Sequence, residues 1–370
     1  MHYQFPVITT IEDVLPHIDT NFIVKDKEGI TYINYINNLP SVFPPVESED
    51  DIGAKIRREC RGIAFDTKTG KIVSRPFHKF FNMGERPDAQ FVDGPHIIME
   101  KLDGSMIRPV LHDGKLRLAT KMGVTEVAML AEEYLASLID NGYQSLMLDM
   151  IGVGWTPIFE FTAPNNRIIL EYHEPKLTLL ALRCNFTGCY EQHSSLVYYS
   201  AAYDVPAVSS TSLEGVKDST DSEGVVIQYH NGHMLKVKSD WYVKAHRAKD
   251  LLSSRRRFLE AVVEDVFDDA VAAMLPEDQK KAQEMHKQFD DAVYDFNNKF
   301  TYYYELARDK FETKRDYAVI SAKADPIFRN LTFQLWDGKF ESPSQAIWEM
   351  IRRHTTTNQK VDELYEILGL

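Results

Sequence analysis

The chain has 370 residues, 44% of them hydrophobic and 26% charged, and carries a formal net charge of −13 at pH 7. That length allows two domains of ordinary size whose cores need no metal or disulfide staple, and the composition excludes a disordered or fibrous chain. The acidity excludes a protein that coats nucleic acid by bulk attraction, since such binding scales with the phosphates neutralised; a basic cleft in an acidic body can still hold phosphate locally.

The start, MHYQFPVITTIED, has no basic flank followed by an apolar run, and no apolar stretch approaches the roughly 20 residues that cross a bilayer. A cytoplasmic protein with no membrane attachment is expected. Cys60, Cys184 and Cys189 are an odd and sparse set, no disulfide framework, which fits a reducing compartment; Cys184 and Cys189 could share a metal, but no second Cys/His pair has the spacing that a four-ligand zinc site needs.

From about residue 20 to 240 short strand patterns alternate with turn signals, Asp-Gly at 93–94, 103–104 and 113–114 and Asn-Gly at 231–232. Residues 96–123 read as a meander of three strands broken at Asp103-Gly104 and at His112-Asp113-Gly114, with Lys101 at a strand end. A helical interruption is predicted at 125–142, where apolar residues recur three and four apart and Gly142 offers a stop. After about residue 240 the period becomes helical, most clearly in the stripe Phe289, Val293, Phe296, Phe300 and Tyr303. Pro276-Glu277-Asp278 and Ser342-Pro343 read as helix starts. Arg255, Arg256 and Arg257 form a conspicuous basic run, readable as a solvated helix face or as phosphate contacts. The expected class is α+β, with a β-rich domain over 1–240 and a small all-helical domain over 241–370.

The chain lacks the GxxxxGK[ST] phosphate loop, the GxGxxG fingerprint, HExxH and GxSxG. What stands out is Lys101-Leu102-Asp103-Gly104-Ser105, a lysine set just before a tight turn, where it is either a nucleophile or an ordinary hairpin lysine. Around it come, in order, Glu59-Cys60-Arg61-Gly62, Lys79-Phe80-Phe81-Asn82, Phe159-Glu160-Phe161, Glu223-Gly224 and Lys236-Val237-Lys238.

This ordered set resembles the covalent nucleotidyltransferases, the superfamily of DNA ligases, RNA ligases and mRNA capping enzymes in which a lysine receives AMP or GMP. Within it, ECRGIAF, RPFHKFFN, KLDGS, FEFTAPNNRIIL, SEGVVI and LKVKSDWYV are most similar to the tRNA-repairing RNA ligases of T-even bacteriophages. DNA ligases and capping enzymes usually carry arginine two residues after the Asp-Gly, where this chain has Met106, whereas Ser105 and Arg61 match the RNA-joining branch. The resemblance implies a nucleotidyltransferase domain of ATP-grasp-like antiparallel sheets with flanking helices, followed by a helical domain that selects RNA. It also implies ATP as substrate, Mg2+ or Mn2+ as cofactor, a tRNA with a broken anticodon loop as partner, and a monomer. Rival readings are a DNA ligase, a capping guanylyltransferase, or a catalytically silent RNA-binding protein that keeps the fold.

The residue chemistry can be weighed separately. A free lysine is a neutral amine in only about one part in 10³ to 10⁴ at pH 7, so Lys101 needs help to attack. Lys236 and Lys238 lie two apart on a predicted strand and face one side; there they would lower the proton affinity of Lys101 and neutralise phosphate, unless that side is simply wet. Glu160 and Glu223 sit in apolar strands, where an ionised carboxylate needs a cation or hydroxyl; buried salt bridges are the bland reading. By resemblance Glu160 holds the ribose or a metal-bound water, and Glu223 lies near Lys101 and the metal. Arg61 and Lys79 are expected at the nucleotide or its phosphates, and Phe81 either near the nucleoside or in the core. Lys121 matches the family's auxiliary lysine, although Val124 stands where a hydroxyl residue is expected, and Tyr35 corresponds to a tyrosine near the nucleotide.

Overall fold

The computed structural model describes residues 4–139, 141–272, 274, 276–321 and 325–370. Its chain divides into two units, Met1–Tyr242 and Val243–Leu370.

In the first unit the turn-punctuated sequence folds into β1 (Phe22–Lys27), β2 (Ile30–Tyr35), α1 (Ile52–Glu59), β3 (Arg61–Asp66), β4 (Ile72–Ser74), β5 (Phe81–Asn82), β6 (His96–Glu100), β7 (Ser105–His112) and β8 (Lys115–Ala119). There follow α2 (Glu126–Ser137), α3 (Tyr143–Gly152), β9 (Trp155–Thr162), β10 (Lys176–Cys184), α4 (His193–Tyr203), β11 (Gly224–Tyr229) and β12 (Met234–Lys238). Among the described residues these strands form three four-stranded sheets, ordered β1-β2-β3-β4, β10-β9-β7-β8 and β5-β12-β11-β6. All named pairings are antiparallel except β5 with β12.

Strand alternation decides what lies between the layers. Apolar side chains of the first and third sheets, among them Ile33, Phe65, Val225 and Leu235, join Phe43 in one core. The second sheet buries Phe159 and Leu177 against Ala128 of α2, Leu146 of α3 and Leu196 of α4. Phe81 belongs to the first of these cores, 2% exposed, which settles its two readings in favour of packing.

Two local expectations are corrected. Residues 96–123 are not one meander: β7 pairs with β8 as expected, but β6 pairs with β11, so Asp103-Gly104 is a crossing between two sheets instead of a hairpin. The reason is Asp103 itself, 1% exposed, whose carboxylate accepts from the backbone N–H groups of Ile169 and Leu170 at 2.7 Å each and so draws the loop inward. The predicted helix at 125–142 ends at Ser137, and α3 after it was not anticipated; its apolar residues Leu146, Met147 and Met150 are buried.

Helix α5 (Asp240–Leu252) runs into the second unit, which continues as α6 (Arg255–Val263), α7 (Phe267–Ala272), α8 (Pro276–Lys310), α9 (Lys314–Ile320), α10 (Pro326–Trp336), α11 (Pro343–His354) and α12 (Asn358–Leu368). Phe289, Val293, Phe296 and Phe300 of α8 are buried, as their spacing demands, and Tyr303 is partly buried with its hydroxyl 2.9 Å from that of Tyr317. Ser342 caps α11, its hydroxyl accepting from the Gln345 N–H at 3.2 Å. Each member of the arginine run meets a carboxylate: Arg255 with Asp362 at 3.8 Å, Arg256 with Glu260 at 2.8 Å and Arg257 with Asp250 at 2.7 Å. Among the described residues no helix is long and apolar enough to cross a membrane.

Candidate active site

Three neighbouring strands, β6, β11 and β12, place Lys101 and its partners. Lys101 follows the last residue of β6 and donates its backbone N–H to the Gly224 carbonyl at 2.9 Å, which sets it beside the start of β11. Gly224 in turn lies opposite Lys238 of β12. Three side chains from separate parts of the sequence thereby converge: Lys101 Nζ lies 2.8 Å from Glu223 Oε2, and Lys238 Nζ lies 2.9 Å from Glu223 Oε1. Glu223 is 4% exposed and Lys101 22%, so the carboxylate is buried while the amine reaches open space.

The turn between Lys101 and β7 is held from several directions. Besides its two backbone donors, Asp103 accepts from the Tyr242 hydroxyl at 2.5 Å, and its own N–H donates to the Tyr172 hydroxyl at 3.1 Å. Gly104 has no room for a side chain, because a Cβ there would sit 2.4 Å from the Phe161 carbonyl oxygen. The Asp-Gly pair thus fixes Lys101 by burial and close approach rather than by hairpin geometry.

Tyr35, Arg61, Lys79, Glu160, Lys236 and Lys238 line one cavity of about 270 Å³ together with Lys101 and Glu223. Lys121 is outside the lining but adjoins it, its ammonium 5.3 Å from the centre of the Tyr35 ring, as is that of Lys79. Burial works to raise the Tyr35 phenol, but Lys79, Arg61 and Lys121 overcome it and hold the group below its ordinary value. Arg61 Nη1 reaches the Met106 sulfur at 3.6 Å, so the methionine that replaces the DNA-ligase arginine rests against the arginine of β3.

Protonation equilibria in the cavity are displaced. Burial, then the charges of Lys79, Arg61, Lys101 and Lys238, bring Lys236 down to about 7. Burial raises Glu160 to about 7, with Lys101 opposing and Glu223 reinforcing the shift. Lys79 is also lowered, chiefly by burial. Glu160 faces Met106 across β7 and Thr178 across β10.

Glu160 and Glu223 are two carboxylates with mutually unfavourable charge, a donor set that suits a hard cation; among the described residues no third His, Cys, Asp or Glu completes a cluster. Such an ion would draw its other ligands from water and phosphate, the usual habit of Mg2+.

Other motif residues turn out to be supports. Glu59 is buried outside the cavity and binds Arg75 and Arg183 at 2.9 Å each, while Cys60 is a buried thiol. Sequence reasoning missed the apolar walls Phe80, Leu180 and Val226, which nothing distinguishes from core residues, although Phe80 carries Lys236 Nζ 5.4 Å above its ring. It also missed Tyr242, whose ring lies 4.8 Å from Lys238 Nζ. Its place four residues after Lys238, in the first turn of α5, was the available signal.

A family profile described as RNA ligase matches residues 59–245, half of the chain, and the chain belongs to that family. A protein of Thermovibrio ammonificans, named provisionally as an RNA ligase, is 30% identical over 256 residues, covering 65% of this chain and 64% of its own length. The RNA ligase 1 of Bacteriophage TS2126 is 29% identical over 268 residues, covering 68% and 64%. The chain therefore spans a little under two thirds of these relatives. Among solved structures, form 2 of an archaeal ATP-dependent RNA ligase is 13% identical, with 66% of this chain and 64% of that chain covered and a TM-score of 0.43.

Proposed function

We propose that this chain is an ATP-dependent RNA ligase that joins a 5′-phosphate to a 3′-hydroxyl through a lysyl-adenylate on Lys101. The observation that carries the reading is the pairing of Lys101 with Glu223 at 2.8 Å inside a cavity where, among the described residues, Arg61, Lys79 and Lys236 have no carboxylate within 4.0 Å. A row of buried or half-buried cations with no carboxylate in contact favours a polyanion, and the Lys101 amine stands beside them.

In the first step the Lys101 amine, giving its proton to solvent, forms a bond to the α-phosphorus of ATP, and the bond to the bridging oxygen breaks to release pyrophosphate. An oxygen of the RNA 5′-phosphate then attacks the same phosphorus and the P–N bond to Lys101 breaks, and a 3′-hydroxyl, losing its proton, attacks the RNA 5′-phosphorus and expels AMP to leave a phosphodiester. Lys236, Lys79 and Arg61 bear the phosphate charge, Lys121 and Tyr35 border the same group, and Lys238 holds Glu223 in place. Glu160 accepts a ribose hydroxyl or a metal-bound water. Mg2+ or Mn2+, held by Glu160 and Glu223, would supply charge neutralisation at the phosphates.

Within the reading, residues 1–240 carry the adenylyl transfer and 241–370 select the RNA. The branch is that of the T-even phage enzymes, the substrate a tRNA with a broken anticodon loop, the working form a monomer, and the setting the cytoplasm. Incubation with α-labelled ATP or GTP tests it: covalent label on Lys101 from ATP alone is expected, label from GTP points to a capping enzyme, and no label points to a silent binding protein. Sealing of a nicked tRNA loop, linear RNA and a nicked DNA duplex in parallel then tests the substrate.

A further inference from the structure

Arg108 lies within β7, opposite Ala119 of β8, and its side chain is fully buried. Its guanidinium donates to the Gly62 carbonyl and, at 3.2 Å, to the Ser74 hydroxyl, and it lies 5.7 Å from the centre of the Tyr32 ring. None of these partners is an anion. Among the described residues no carboxylate comes within 4.0 Å of Arg108 and its Nε has no hydrogen-bond partner, and burial raises the Tyr32 phenol, which keeps it neutral. Burial also lowers Arg108 to about 10, so it stays charged at neutral pH. A buried cation answered only by neutral oxygens is costly, and a leucine at this strand position would fold at lower cost.

What the guanidinium holds explains its presence. Gly62 follows Arg61, has φ +92°, and approaches the Lys121 backbone so closely that a Cβ would lie 2.6 Å from the Lys121 Cα and carbonyl oxygen. Lys121 sits in a turn closed by reciprocal hydrogen bonds between Thr120 and Gly123, 2.9 and 3.1 Å, directly after β8, the strand that pairs with Arg108. One guanidinium therefore ties the strand bearing Arg61 to the hairpin bearing Lys121.

We propose that Arg108 is a positioning residue for the nucleotide polyphosphate, fixing Arg61 and Lys121 at the separation the phosphates require. The inference rests on the adenylyl-transfer reading given above. It is tested on the full-length chain with R108K, R108Q and R108M, by single-turnover self-adenylylation over a range of ATP concentrations and by sealing of RNA already carrying a 5′-adenylate, where no triphosphate enters.

R108Q and R108M should raise the ATP concentration for half-maximal adenylylation about tenfold or more, with the maximal rate within about threefold, and sealing of adenylated RNA should change less than about twofold. R108K, which keeps the charge and the stem, should recover most of the loss, as a merely space-filling role would not require. If R108M does not fold, R108Q and R108K carry the comparison. Unchanged ATP dependence in a folded charge-removing variant, or an equal loss in both assays, overturns the proposal. A parent protein that takes no label from ATP would instead overturn the ligase reading itself.

Discussion

On the Lys101 side of the cavity each ammonium meets a carboxylate of the same chain, Lys101 and Lys238 sharing the two oxygens of Glu223. On the Tyr35 side, Arg61, Lys79 and Lys121 meet an aromatic ring and a sulfur but, among the described residues, no carboxylate within 4.0 Å. In the first arrangement the lysines are paired within the chain, and the pairing orients a side chain. In the second, Glu85 and Glu160 act on the cations only from beyond contact distance, which leaves room for a polyanion to pair with them. Lys236 stands between the two, feeling Lys79 and Arg61 from one set and Lys101 and Lys238 from the other. The comparison teaches that the position of the carboxylates, more than the number of lysines, separates the attacking group from the binding groups.

The sharpest way to break that comparison is at Lys101. Lys101→Ala should reduce self-adenylylation by more than about 10⁴-fold, while sealing of pre-adenylated RNA persists, because only the first step needs the amine. Lys101→Arg should be equally dead in the first step, since arginine is never appreciably deprotonated. Gel detection of label from α-labelled ATP reads both; normal labelling of the alanine protein would end the assignment.

Arg61→Ala and Lys79→Ala probe the Tyr35 side. Each should lower kcat/KM for adenylylation by roughly 10- to 100-fold, mostly through KM for ATP, the loss expected for one charge-assisted contact. In the parent protein that KM should rise with ionic strength. A loss carried by kcat alone, with KM unmoved, would mean that these cations do not bind the triphosphate.

The intermediate position of Lys236 gives two measurable signs. Its folded value of about 7 lies below the ordinary 10.5, so between these limits the unfolded chain binds more protons and stability rises with pH; at and below pH 7 the folded state bears the whole penalty. Lys236→Met should therefore raise the melting temperature at pH 7, by on the order of 5 °C, while slowing adenylylation at least about tenfold. Polyphosphate favours the charged amine, so metal-free ATP binding at pH 8 should take up protons, and calorimetry in two buffers should show that uptake vanish in Lys236→Met. Proton release in the parent protein would reverse the assignment of which group titrates.

The smallest effect is expected outside the cavity. Because Arg255, Arg256 and Arg257 already have carboxylate partners on the surface of their own unit, replacing all three with alanine should change tRNA affinity by less than about threefold in filter binding. A loss of tenfold or more, with a flatter salt dependence, would show that the pairs open to receive phosphate.

Some of this was written in the chain locally. The helical stripe of α8, the Ser342 cap and the shared face of Lys236 and Lys238 follow from periods of 3.6 and 2 and from capping chemistry, which depend on near neighbours in sequence. The ordered motif segments likewise single out Lys101, Glu160 and Glu223, which the fold brings to one cavity. Tertiary structure decided which strand lies beside which. It took β6 away from β7, sank Asp103 beneath Ile169 and Leu170, put Phe80 rather than Phe81 at the cavity wall, and turned Glu59 into the partner of Arg75 and Arg183. It also buried Arg108 under the carbonyl of Gly62. Sheet pairing joins residues far apart in the chain, and whether a buried charge is paired depends on those distant partners; neither is encoded in a window of neighbouring residues.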